Sequence, residues 1–347
     1  MQMTFRWYGR DDRIPLGHIR QIPGVEGIVS ALHDVPVGEV WTSGRMQQLQ
    51  DEVTTAGLRV AVVESIPVHE DIKLGKPERE RWIDAYCASI TAVAAANVPV
   101  VCYNFMPIFD WMRTDLAAVE PDGSTTLAFE NAALARIDLS RGTGDLPGWA
   151  TAYDASALTT LREEWSRLDV EALWENLGYF LERVIPVATS VGVKMAIHPD
   201  DPPWSIFGLP RIITGVVALR RVLALVDAPA NGLTFCTGSL GSSAQNDLPA
   251  MVDEFSARGR IHFMHCRNVK RSGDFDFREV PHPSRFGDVD MRAVLAALKA
   301  NGFAGPMRPD HGRMIWDEQG KPGYGLFDRA LGATYLQGIW EGISRER

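Results

Sequence analysis

The sequence predicts an α/β protein, a (β/α)8 or TIM barrel with enlarged βα loops after its fourth and seventh strands. Three observations predict it. Short runs rich in Val, Ile and Ala, many ending in a polar residue, alternate with longer stretches of helical spacing, the pattern of successive βαβ units. The runs are almost continuously apolar, as strands covered on both faces must be. No GxGxxG or GxxxxGK(S/T) turn is present, so the fingerprint of a doubly wound nucleotide-binding sheet is missing.

The strand candidates, in order, are MTFRWY (3–8), GIVSAL (27–32), RVAVVES (59–65), VPVVCYNF (98–105), KMAIHPD (194–200), LTFCTG (233–238), IHFMHC (261–266) and GPMRPDHG (305–312). Helical spacing falls between them at 38–57, 79–96, 167–191, 210–226, 247–257 and 290–301, and 326–342 closes the chain. Within 167–191, Leu168, Val170, Leu173, Leu177, Leu181, Val184 and Val187 mark one apolar face. Two stretches break the rhythm. Residues 106–160, with PDGS and RGTGDLPG, read as a loop-rich excursion, and 268–288 as a second polar loop.

The 347 residues, 46% apolar and 23% charged, suit a single barrel domain over 1–347; such barrels hold about 250 residues or more as one unit. Acidic residues outnumber basic ones 44 to 35, and no basic stripe exists for a nucleic acid to follow. The most apolar region, 90–103, is broken by Asn97 and Pro99 and is too short to cross a bilayer. Arg6, Arg10, Asp11 and Asp12 stand where a secretory signal needs its apolar stretch. Cysteines at 87, 102, 236 and 266 form no CxxC and no disulfide framework, so the expected location is a reducing cytoplasm.

In this fold the active site lies at the C-terminal strand ends. Those ends carry Glu64, Asn104, His198, Cys236, His265 and Asp310, with His311 directly after. One histidine or one cysteine there is ordinary packing. His198, Cys236, His265 and Asp310, however, end four consecutive strands. Two imidazoles, a thiolate and a carboxylate suit a divalent transition metal. Their long separations argue against a finger-type structural site, and a site built on four strand ends can leave positions open for substrate. Alternation along β-structure keeps His262 and His265 from both pointing inward, and His265 is nearer the site. His311, one residue past Asp310, is a candidate acid or base. Tyr324, in the glycine-rich KPGYG, is a candidate to fold over the mouth. Arg308 and Arg313 flank the Asp–His pair as candidate partners for an anionic substrate, with Asn104 and Trp111 as further pocket candidates.

At these residues the chain resembles the mannonate dehydratase family, of the xylose-isomerase-like barrel group. The resemblance runs nearly end to end, through GIVSALHDVPVGEVW, VVESIPVHEDIKLG, VCYNFMPIFDWMRTDL, AIHPDDPPWSIFGLPRI, TFCTGSLGSSAQND, IHFMHCRNV, RPDHGRMIW, GDVDM and PGYGLFDRALGATYLQGIWE. It implies dehydration of D-mannonate to 2-dehydro-3-deoxy-D-gluconate in hexuronate breakdown, with Mn2+ or Fe2+. The ligands would be His198, Cys236, His265 and Asp310, and the acid/base residues His311 and Tyr324; a homo-oligomer, dimer or tetramer, is expected. Two residues depart from the family pattern: Cys266, where an aliphatic side chain is expected, and Asp317, where glycine is common. A longer insertion carried by some members is absent. Two other readings stand beside this one. A metal-dependent sugar isomerase or epimerase of the same barrel group normally uses carboxylate-dominated ligands, which Cys236 disfavours. A non-catalytic barrel that only binds sugar acids has no use for His311.

Overall fold

The computed structural model describes residues 1–137, 139, 148–150 and 155–343, with only the backbone for 148–150. Eight parallel strands close a barrel in which each pairs with its neighbours in chain order and the first pairs with the last. They are β1 (Gln2–Arg6), β2 (Val25–Ser30), β3 (Arg59–Glu64), β4 (Val100–Tyr103), β5 (Lys194–Ile197), β6 (Asn231–Cys236), β7 (Ile261–Cys266) and β8 (Pro306–Pro309). Each overlaps a run read from the sequence. In β3, Val60, Ala61, Val62 and Val63 are all buried; a strand with one wet face would expose every second residue.

The predicted helices form at Ser43–Thr55, Arg79–Ala95, Val170–Val191, Val216–Leu225, Leu248–Ala257, Met291–Ala300 and Phe327–Ile343. Helix Val170–Val191 shows why. Asp169 caps it by accepting a hydrogen bond from the Ala172 amide at 2.8 Å, and Gly192 ends it in the left-handed region at φ 75°. Between those stops, Leu173, Leu177, Leu181, Val184 and Ala188 form one buried stripe against the barrel.

The two enlarged loops are more ordered than the sequence suggested. Strands Asp115–Val119 and Thr125–Phe129 come from the first, Asn268–Arg271 and Phe277–Val280 from the second, and together they make one four-stranded antiparallel sheet. The hairpin at 115–129 had a legible signal in Pro121-Asp122-Gly123, which forms its turn with Gly123 at φ 84°. The pairing of Phe277 with Phe129 joins segments far apart in sequence, which no local pattern reveals. Of RGTGDLPG, all but Gly148 lies outside the described residues.

Cys266 packs into the apolar core, and burial pushes its thiol up, so it serves as a small hydrophobe. Asp317 is exposed and holds φ at 56°, beside Trp316 at 54°. Such backbone favours glycine, tolerates aspartate and rejects β-branched residues. Asp317→Val is therefore expected to destabilise the chain by about 1–2 kcal/mol, whereas Asp317→Gly leaves it near the parent. Urea unfolding midpoints of the three proteins check this.

Candidate active site

Strand register assembles the site. Cys236 on β6 is opposite His265 on β7, and His265 is opposite Arg308 on β8. In β7, Phe263 belongs to a small apolar cluster with Val29, Cys102 and Ala196, whereas Met264 and Cys266 belong to the large core. His265, two residues past Phe263, shares its inward face and meets its ring edge-on at 4.5 Å. His262 lies lower in the strand, against Gly232, away from this group.

One ligand-type atom from each of His198, Cys236 and His265 lies within 4.8 Å of the others. His198 Nε2 is 3.2 Å from His265 Nδ1. Asp310 joins them, Oδ2 at 3.5 Å from Cys236 Sγ and Oδ1 at 3.7 Å from His265 Nδ1. Burial opposes ionisation of Cys236, but the Arg267 guanidinium and hydrogen bonds from His198 and His265 outweigh it and hold the thiol well below its usual range. Asp310 is likewise held low against burial, chiefly by Arg308. Two buried anions thus stand side by side. Burial alone would discharge His198, yet Cys236, Asp310 and Glu64 raise it to about 9. A thiol held low, a carboxylate and two imidazoles converging on one point fit a divalent transition metal.

Next to this cluster runs a chain of hydrogen bonds. Both carboxylate oxygens of Glu279 lie 2.9 Å from His311 Nδ1, and His311 Nε2 lies 2.8 Å from the Tyr324 hydroxyl. Glu279 is ionised; burial is overcome by Arg267, His311 and Arg113, which lower it to about 2. Accepting the Nδ1 proton, it leaves the Nε2 lone pair toward Tyr324. Burial, with Tyr8 and Asp310, pushes the Tyr324 phenol well above its ordinary value, so it keeps its proton.

Glu279 is delivered by the strand Phe277–Val280, so the sheet built from both enlarged loops orients His311. Two buried arginines fasten it. Arg113 donates to Glu279 and, through both terminal nitrogens, to Asp201 at 2.9 and 3.0 Å. Arg267 donates to Asp201 at 2.8 Å and to Glu279, and its Nε lies 3.2 Å from Asp310. Breaking such a buried pair costs about 3–5 kcal/mol, because the partner charge is left uncompensated.

A cavity of about 890 Å³ opens over the site, lined among others by Asn104, Trp111, His198, Arg308, Asp310, His311 and Tyr324. Cys236 and His265 lie buried beneath it. Arg313 does not reach it. Its guanidinium pairs instead with Asp122 at 2.8 Å and Asp328 at 3.0 Å, so the candidate role in substrate binding is withdrawn for this residue. His33 and His69 line the cavity as well.

Arg267, Glu279 and Asp201 were not singled out from the sequence. Arg267 is two residues past His265, in a stretch with no repeating pattern. Glu279 sits in a polar loop, and Asp201, in DDPP, reads first as turn chemistry. Their shared signal is complementary charge brought together by folding.

The comparisons with known proteins agree along the whole chain. The model of the D-mannonate dehydratase (UxuA) family matches residues 1–347. Mannonate dehydratase of Streptococcus agalactiae serotype III (strain NEM316) is 52% identical over 343 residues, 99% of either chain. The crystal structure of mannonate dehydratase from Streptococcus suis serotype 2 superimposes with a TM-score of 0.93 at 50% identity, covering 99% of this chain and 95% of that one. A xylose isomerase domain protein from Planctomyces limnophilus, 13% identical, covers 99% of this chain and 98% of its own with a TM-score of 0.57, and shares the barrel fold. This chain belongs to the D-mannonate dehydratase family.

Proposed function

We propose that this chain removes water from D-mannonate to give 2-dehydro-3-deoxy-D-gluconate, using Mn2+ or Fe2+ held by His198, Cys236, His265 and Asp310. The proposed setting is hexuronate breakdown in the cytoplasm, by a homo-oligomer. No helix among the described residues is long and apolar enough to cross a membrane, and all four cysteines are free.

The reaction removes the proton at C2, beside the carboxylate, and the hydroxyl at C3. An ionised carboxylate stabilises further negative charge poorly, and a divalent cation bound at the quartet would neutralise it. The chain's own residues move the protons. His311 Nε2, its lone pair fixed by Glu279 at Nδ1, takes the C2 proton. Tyr324 gives its phenolic proton to the departing hydroxyl. The 2.8 Å bond between the two then returns a proton from His311 to Tyr324. Net transfer from C2 to the leaving oxygen is complete within the pair, and the C2–C3 enol left behind tautomerises to the 2-keto acid, losing its enol proton and gaining one at C3. Arg308, Asn104 and Trp111 line the cavity where the sugar acid would lie; among the described residues the Trp111 indole nitrogen has no hydrogen-bond partner.

The observation that carries this reading is the Glu279–His311–Tyr324 chain opening into the same cavity as His198 and Asp310. Incubation with D-mannonate and Mn2+ is expected to release one 2-keto-3-deoxy acid per sugar acid consumed. Formation of an epimeric aldonate, or binding of D-mannonate without turnover, would overturn it.

A further inference from the structure

His198 and His265 each turn one ring nitrogen toward Cys236 and Asp310, and each must satisfy the other nitrogen. His198 uses the backbone: its Nδ1 lies 2.6 Å from the Pro199 carbonyl, to which it donates, so Nε2 is the nitrogen left to face the cluster. His265 is mounted the other way round, with Nδ1 inward. Its outer Nε2 is buried and faces Glu64 Oε2 at 3.4 Å. Among the described residues neither of those two atoms makes a hydrogen bond.

An imidazole has two neutral tautomers, and only the one protonated at Nε2 leaves a lone pair on Nδ1. We propose that Glu64 is a positioning residue for His265: its Oε2 accepts the Nε2 proton and fixes the tautomer and ring orientation in which Nδ1 offers its lone pair to the metal. The proposal rests on His265 being a metal ligand. Metal-bound histidines commonly have their second nitrogen secured by a carboxylate or carbonyl in this way.

The rest of Glu64 is arranged for the task. It is the last residue of β3, and its Oε1 accepts from Arg308 Nη2 at 3.0 Å. The same Arg308 nitrogen lies 2.7 Å from Asp310 Oδ1. Arg308 therefore ties Glu64 to Asp310 and fixes the position of its carboxylate at the edge of the cavity. In the proposed arrangement one oxygen serves Arg308 and the other His265. A glutamine has one acceptor oxygen, so it serves one of the two donors and turns an N–H toward the other.

Glu64→Gln keeps the volume and is the test. Competition for Zn2+ against a chromogenic chelator is expected to show about 10–100-fold weaker binding. In Zn2+-loaded wild type with 15N-labelled histidine, the His265 resonances should report Zn2+ on Nδ1 and a proton on Nε2. Zn2+ affinity within about twofold of wild type, well short of the usual loss, overturns the proposal. So does a wild-type spectrum with the His265 proton on Nδ1, a measurement that needs no variant to fold. Binding of two Zn2+ per chain overturns it too, by assigning Glu64 to a second ion with Cys102 and His265, whose ligand atoms lie within 4.8 Å of one another. His265→Ala separates the two levels. If it binds Zn2+ like wild type, the ligand assignment fails; if it loses Zn2+ while Glu64→Gln does not, the positioning role alone fails.

Discussion

His265→Ala is expected to lose metal and turnover together, whereas His311→Ala keeps the metal and loses turnover by about 10²–10⁴. The two side chains are buried and close, yet they face different partners. His265 Nδ1 points at His198 and Asp310. His311 is spanned by Glu279 and Tyr324, and its Nε2 lies 3.8 Å from Asp310 Oδ1 without forming part of the ligand cluster. Metal content by elemental analysis, read beside kcat, decides the matter. Equal metal loss in both variants would mean that His311 coordinates the metal as His265 does. Chelation of the wild type should copy His265→Ala, with Mn2+ or Fe2+ restoring the rate. His262→Ala is the control for damage to β7: its ring sits against Gly232 low in the same strand, so whatever folds should keep the metal.

The contrast between His262 and His265 also shows how much a single sequence discloses. Alternation along a strand is a geometric necessity, so choosing between two histidines three residues apart needed no coordinates. The quartet was legible for a related reason: in a parallel barrel the C-terminal ends of all strands share one face, and a polar residue ending an apolar run marks that face. What stayed hidden are residues whose meaning depends on pairings between distant segments. Glu279 matters because Phe277 pairs with Phe129 across two loops, placing its carboxylate under His311. Asp201 matters because two arginines, 88 positions before it and 66 after, converge on it. Arg313 fails in the opposite sense. Its neighbourhood to Asp310 in sequence suggested a shared site, but the chain turns after His311 and carries it to Asp122 and Asp328.

Tyr324→Phe is expected to lower kcat by about 10²–10⁴, the usual loss for a missing acid or base, with metal content unchanged. The ring is buried, packed edge-on to Tyr8 at 5.0 Å and to His311 at 4.8 Å, and phenylalanine preserves both contacts. Only the hydroxyl goes, and with it the 2.8 Å bond to His311 Nε2. The loop reaches this position through Gly323, at φ 79°, where a Cβ would stand 2.6 Å from a Leu127 methyl carbon, so the approach is open to glycine alone. Leu127 belongs to the loop-built sheet, which therefore seats Tyr324 as well as Glu279. If the phenol is the acid, the loss falls on kcat, because its proton is delivered only as the C3–O bond breaks. Near-normal kcat with a raised KM would make the hydroxyl a substrate contact instead, held equally in ground and transition states. His311 would then have to pass the proton it took from C2 to the departing C3 hydroxyl, and one imidazole would serve both ends of the elimination.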